Sequence, residues 1–249
     1  MAPSRVSDPL APLLDLPGVA EAVTAARDAL VAVHNHPVNL KGWPASAAEA
    51  GLRAARASAA LEGARIETGD TATDPVLAGS VRVAEESVRL LSVWRTSPLQ
   101  ALARLHLVAA ADIVPADRHG AELGRPHNSA AVSARLALLT DLVTGGTRVP
   151  APVLVAVVHG ELLALEPFPS ANGVVARAAA RLTAVAAGLD PRGLGVPEVG
   201  HLRKAAEYRA AAAGFAGGSR EGLTTWLLHC CAQWEAGARE GLSIADART

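Results

Sequence analysis

The stretch EPFPSANGVVAR holds a carboxylate (Glu166), an Asn-Gly pair (Asn172, Gly173) and an arginine (Arg177), just as an alanine-rich helical run begins. The first N–H groups of a helix have no partner inside it, and the macrodipole places roughly half a positive charge there. Asn172 and Gly173 at that end offer an amide and exposed backbone donors. Arg177, one turn inward on the face of Gly173, brings a guanidinium to the same place. Together these residues have the chemistry of a phosphate site. Taken alone, an Asn-Gly pair is also an ordinary helix-entry turn, and an arginine at helical spacing is commonly a surface residue.

A second stretch, ASAALEGAR, places Ser58 and Glu62 one helical turn apart, with Gly63 as a stop signal. A carboxylate at the C-terminal end of a helix faces an unfavourable dipole and gains from a cationic partner.

The elements that must position these groups are nearly all helical. Strand patterns are almost absent, aromatics make up 3% of the chain and hydrophobic residues 50%, so the fold class is all-α with one sizeable core, or at most two small ones sharing an interface. A first helix covers about 19 to 33 and ends in HNHPVN. The next begins at Ser46, where SAAE reads as a capping box with Glu49 reaching back, and runs through Ser58 to the Gly63 stop. Asp74-Pro75 and Ser97-Pro98 start two more, after the polar loop TGDTATD. Ile113 to Asn128 is the longest irregular connection, and such segments tend to be functional. Further helices follow at about 129–143, 150–165, 173–187, 198–213 and 219–239.

Several functions are disfavoured. A net charge of −1 gives no electrostatic footprint for nucleic acid or an anionic membrane. No secretory signal and no 18-residue apolar run is present, so a cytoplasmic protein is expected. Cys230 and Cys231 are adjacent, unsuited to bridging each other, and read as reduced helix residues; His229 beside them does not complete a metal site. His34 and His36 lack a third ligand nearby. His159, two turns before Glu166, reads as a core histidine satisfied by a backbone carbonyl. No Walker loop, dinucleotide fingerprint or nucleophile elbow occurs.

The two stretches together resemble the Fic family, whose members mostly transfer AMP from ATP to protein hydroxyls. The family motif reads His-Pro-Phe-x-Asp/Glu-Gly-Asn-Gly-Arg-x-x-Arg, against Glu166-Pro167-Phe168-Pro169-Ser170-Ala171-Asn172-Gly173-Val174-Val175-Ala176-Arg177 here. Ser58-x-x-x-Glu62-Gly63 is similar to the family's inhibitory helix. LARLHLVAAADI around His106, VVHGELLALEPF with His159, and the C-terminal YRAAAAGFAGGSREGLTTWLLHCC also look like helices of that fold. The resemblance implies a Fic-like helical bundle over 46–245, with an inhibitory helix at about 46–63 and a helical extension over 1–45. It also implies a short β-hairpin flap in 113–128 that would align a protein partner by strand pairing.

The departures lie where the family's chemistry lies. The motif histidine, which takes the target's proton, is Glu166, a weak base unless buried. The magnesium-holding acid is Ser170, a poor ligand for a hard cation. The first motif arginine is Val174. Phe168, Ser170, Asn172, Gly173 and Arg177 remain as a phosphate or nucleotide loop, with Ser58, Glu62 and Gly63 as its inhibitory counterpart. The resemblance therefore implies a binding or regulatory pseudoenzyme for ATP or another nucleotide, without a secure role for magnesium. The alternative is an active AMP or phosphoryl transferase with Glu166 as its base. Either way, Glu62 and Arg177 are expected to form a bidentate ion pair.

Overall fold

The computed structural model describes residues 8–66 and 74–248. A 3-10 turn over Ala11–Asp15 leads to α1 (Val19–Asn35) and α2 (Pro37–Leu61). Then come α3 (Pro75–Thr96), α4 (Pro98–Ala110), the short α5 (His119–Glu122) and α6 (Ala130–Asp141). The C-terminal half holds α7 (Ala151–Leu165), α8 (Asn172–Ala186), α9 (Pro197–Arg203), α10 (Ala205–Ala216) and α11 (Arg220–Asp246). No strand occurs among the described residues. None of their helices is long and apolar enough to cross a membrane.

Proline opens α2, α3, α4 and α9, where its missing N–H costs nothing. Asp74 caps α3 by accepting from the N–H groups of Val76 (2.9 Å) and Leu77 (3.2 Å). One core joins α1, α7, α10 and α11 around Leu30, Val153, Trp226 and Trp234. A second joins α3, α4, α7 and α8 around Trp94, Leu105, Val158 and Val175. Helix α7 serves both cores, and its run of Val153, Val155, Val157 and Val158 is buried on several faces. Helix α8 lies beside it and is buried from Gly173 to Ala180, so Arg177 belongs to an interior helix rather than a surface one.

Three elements differ from the sequence expectation. The helix carrying Ser58 and Glu62 starts at Pro37, not Ser46, with His36 as its cap and Pro44 inside it. Glu49 pairs with Arg53 one turn ahead (2.7 Å) instead of reaching back to Ser46. The division drawn at residue 45 thus falls inside a continuous helix, and α1 shares a core with α11. The helix expected over 198–213 breaks at Lys204 into α9 and α10. Finally, 113–128 forms a 3-10 turn (Ala116–Arg118) and α5 in place of two strands. Its polar groups are answered locally: His119 Nε2 meets the Val114 carbonyl at 2.8 Å, and the Gly124 N–H is taken by His106. No strand edge is left there for a partner to pair with.

Of the polar loop 68–74, only Asp74 lies within the described residues. Cys230 and Cys231 are free and buried; burial raises the Cys230 thiol well above its usual range and the Cys231 thiol to about 12.

Candidate functional site: two facing helix ends

Helix α2 stops at Glu62 and Gly63. Gly63 adopts φ +87°, the left-handed conformation glycine takes without penalty. The Gly63 N–H bonds the Ala60 carbonyl and the Ala64 N–H bonds that of Ala59, each at 3.0 Å, which is a Schellman closure. The remaining end carbonyls are met from outside: Arg209 donates to Leu61 O (3.2 Å) and Arg177 donates to Ser58 O (3.0 Å). All four terminal carbonyls of α2 therefore have partners.

Arg177 reaches this end from the interior of α8. Its Nε donates to Ser58 Oγ at 2.8 Å, its Nη2 to Glu62 Oε1 at 2.7 Å, and its Nη1 to the Tyr208 hydroxyl at 3.4 Å. The side chain of Arg177 is 3% exposed and that of Glu62 33%. The ion pair exists, but it is single rather than bidentate, because Ser58 occupies the edge of the guanidinium that a second carboxylate oxygen would need. Burial works against the charge on Arg177, and Tyr208 and Glu62 together more than offset it.

The N-terminus of α8 is the opposite kind of end. Ala171 precedes it in the left-handed region (φ +54°), and no side chain caps it. The Glu62 carboxylate rests against it. A β-carbon at residue 173 would overlap Glu62 Oε1 and lie 2.8 Å from Glu62 Cδ, so glycine is what allows the approach. A negative group thus occupies the positive end of α8 while also pairing with Arg177.

The loop before α8 is rigidly held. Asn172 accepts from Phe168 N–H (2.9 Å) and donates to Phe168 O (2.7 Å), so its amide braces the loop instead of projecting toward a ligand. The Phe168 ring is buried and stacks on His106, with ring centres 4.3 Å apart and planes within 4°. The His127 N–H donates to Pro167 O at 2.8 Å, tying 113–128 to the same loop. Glu166 also has positive φ (43°), so non-glycine residues flank the loop in a sparsely populated conformation. Its side chain is exposed and takes no hydrogen bond or ion pair among the described residues. The apolar enclosure that a carboxylate base requires is not built around it.

His106 is the functional-site residue that sequence reasoning missed. It is fully buried, and its Nδ1 accepts from the Gly124 N–H at 2.9 Å. The neutral ring must then carry its proton on Nε2, which faces Ser170 Oγ at 3.5 Å. In that tautomer His106 gives a proton toward Ser170 and cannot take one from it, so the two are no Ser-His nucleophile pair. Burial lowers its pKa to about 4, against a hydrogen bond to the Ser170 backbone that raises it. Its role is to clamp the motif loop to 113–128.

Tyr208 is the other omission, and its signal was available: it is the one tyrosine of the chain. Its hydroxyl bonds His159 Nε2 at 2.8 Å, so His159 is satisfied by a side chain and not by the expected backbone carbonyl. Burial first, then the charges on Arg177 and His229, push His159 well below its usual pKa. His201, buried and 3.1 Å from His229, is lowered in the same way. Among the described residues no group of three His, Cys, Asp or Glu could hold a metal ion.

This arrangement of helices has known counterparts. A Fic family protein from Desulfovibrio desulfuricans G20 superposes with a TM-score of 0.71 at 17% identity, over 91% of this chain and 74% of that one. Residues 134–508 of Fic-1 from C. elegans give 0.64 at 15% identity, over 96% and 76%. A form of the same worm protein with one Glu-to-Gly substitution gives 0.68 at 14% identity, over 92% and 73%. The chain has the Fic fold. No family model matches its sequence, and no curated protein matches it. Within this Fic fold Ser58, Glu62, Gly173 and Arg177 converge at the two facing helix ends. Phe168, Ser170 and Asn172 form the loop beside them, and Glu166 stands apart in solvent.

Proposed function

We propose that this protein binds a phosphate-bearing ligand, foremost a nucleotide such as ATP, at the N-terminus of α8, and that Glu62 competes for the same position. The observation that carries the reading is the Glu62 carboxylate, seated on Gly173 and paired with Arg177. A carboxylate already stands beside the start of α8, and Arg177, which pairs with it, would hold the phosphate there. Gly173 fits the role because the space above it is too close for any side chain at that position.

Ordinary AMP transfer is not part of this reading. Glu166 is exposed, the position for a magnesium-holding acid carries the Ser170 hydroxyl, and Val174 is a buried apolar side chain. The reading adds a regulatory or binding role on a cytoplasmic protein partner, with 113–128 as the neighbouring surface.

Titration calorimetry with ATP, ADP and pyrophosphate, with and without magnesium, tests the reading on wild type and Glu62→Gly. Removing the competing carboxylate is expected to tighten phosphate binding about tenfold, the equivalent of roughly 1.4 kcal/mol. Equal affinities in the two proteins, or no binding in either, reject it. Incubation with labelled ATP and cell extract checks the non-catalytic part; labelling that disappears in Glu166→Ala would overturn it.

A further inference from the structure

A pocket of about 250 Å³ opens between α2, α3 and α8, with Ser58, Val174 and Arg177 in its lining. Its wall on α2 is made of small residues, Gly51, Ala54 and Ala55 among them, with Trp43 near one end and Ser58 at the other. Across from these stand Val83, Ala84 and Leu91 of α3 and Leu182 of α8, so the lining is mainly apolar. Trp43 and Val88 leave large apolar side chains exposed at its edge, 38% and 81% respectively. An open apolar cavity of this size is small for a drug-sized ligand and suits a compact one.

Charge is distributed unevenly around it. The lining includes Arg177, Arg181 and Arg192 but only one carboxylate, Glu198. Arg177 is neutralised by Glu62 and Arg181 by Glu198 (3.2 Å). Arg192 has only carbonyl partners among the described residues, His34 O at 3.3 Å and Asn39 O at 3.0 Å. Asn39 lies one turn before Trp43 on α2, so this unbalanced guanidinium sits at the Trp43 end of the pocket. A half-buried cation at one end of an apolar cavity favours a ligand with an anionic head and an apolar tail.

We propose that this pocket binds a medium-chain carboxylate, its head at Arg192 and its tail along α2 toward Ala54. The head position at Arg192 lies at the opposite end of the pocket from Ser58 and Arg177, which also belong to the phosphate position, and carboxylate binding at Arg192 does not depend on the reading given for that position. Trp43 supplies the probe, because Trp94, Trp226 and Trp234 are buried, at 0%, 0% and 4% exposure. Titrating the full chain with decanoate below its micelle concentration should give a saturable blue shift of Trp43 fluorescence. Arg192→Gln and replacement of decanoate by decanol should each weaken binding about tenfold, the loss expected for one charge-assisted contact. Ala84→Leu, on the half-exposed face of α3, should fill the cavity and abolish the shift; it keeps the test open if Arg192→Gln disturbs the contacts to His34 and Asn39. A wild-type protein with no saturable response overturns the proposal. So does a response that survives Ala84→Leu, or decanol binding as tightly as decanoate.

Discussion

The C-terminus of α2 and the N-terminus of α8 face one another, yet they are finished in opposite ways. Every terminal carbonyl of α2 is answered, two by a Schellman closure and two by arginines, the buried Arg177 and the exposed Arg209. The start of α8 has no side-chain cap and is met by a carboxylate that is one-third exposed. The first end is architecture, since removing any partner orphans a polar group. The second is a vacancy filled by a group that can leave. A helix end whose partners all come from the fold supports structure. One whose anion comes from a side chain rather than from the backbone of the fold is where the proposed phosphate ligand would enter.

Arg177→Ala attacks the closed end and should have the largest effect. It removes the bonds to Ser58 Oγ, Ser58 O, Tyr208 and Glu62 from an interior position, for an expected loss of about 3 kcal/mol in urea denaturation. The partial exposure of Glu62 keeps the estimate toward the low end for a broken pair. A loss under about 1 kcal/mol would erase the distinction between the two ends.

Acid should come second and touch both sides. His106 clamps the loop before α8, while His159 and His201 lie behind Arg177, and all three have pKa values lowered by burial. The unfolded chain therefore binds protons first as pH falls. The stability these residues contribute is fully present above about pH 6.5 and is lost as pH falls toward about 4, the value for His106. Thermal melts at pH 7, 5.5 and 4.5 should show a falling Tm. His106→Gln should remove part of that slope, and an unchanged slope would place all of it on the closed side.

Ala171→Gly is the gentlest probe and should raise stability. Ala171 holds φ +54° at the open end, a conformation that costs an L-residue about 1–2 kcal/mol and glycine little. The extra freedom of glycine in the unfolded chain reduces the net gain to below about 1 kcal/mol. Destabilisation would show that the loop needs the methyl group's packing more than it needs relief from strain.

Local chemistry was legible in the sequence, and contact between distant residues was not. The end of α2 could be read from Glu62 and Gly63 because a Schellman closure uses neighbours alone. Pairing of Glu62 with Arg177 across the fold came only with the Fic resemblance, since two charges in a chain say nothing of distance. The start of α2 was not legible: SAAE at Ser46 reads as a capping box, yet the helix already runs from Pro37 through Pro44, with Asn39 and Ser46 buried on either side of it. The Fic resemblance implied a hairpin flap over 113–128. In the structure Gly124 serves His106, a partner that sequence spacing could not name. The bidentate geometry failed for a similar reason, because Ser58 competes for the guanidinium and its reach depends on how α2 lies against α8.

Glu62 stands at the cap of α2, one residue beyond its last helical turn. Its backbone N–H is spent on Ala59, but its side chain plays no part in the helix's own hydrogen bonding. The carboxylate can therefore swing away while α2 stays wound and anchored at Ser58 O. Such a swing is a rotamer hop, on the order of picoseconds to nanoseconds for a side chain in contact with water. Under the proposed phosphate reading, such self-blocking would set no clock of its own: entry of a competing anion would be paced by diffusion and concentration, and its departure would restore the blocked state at once.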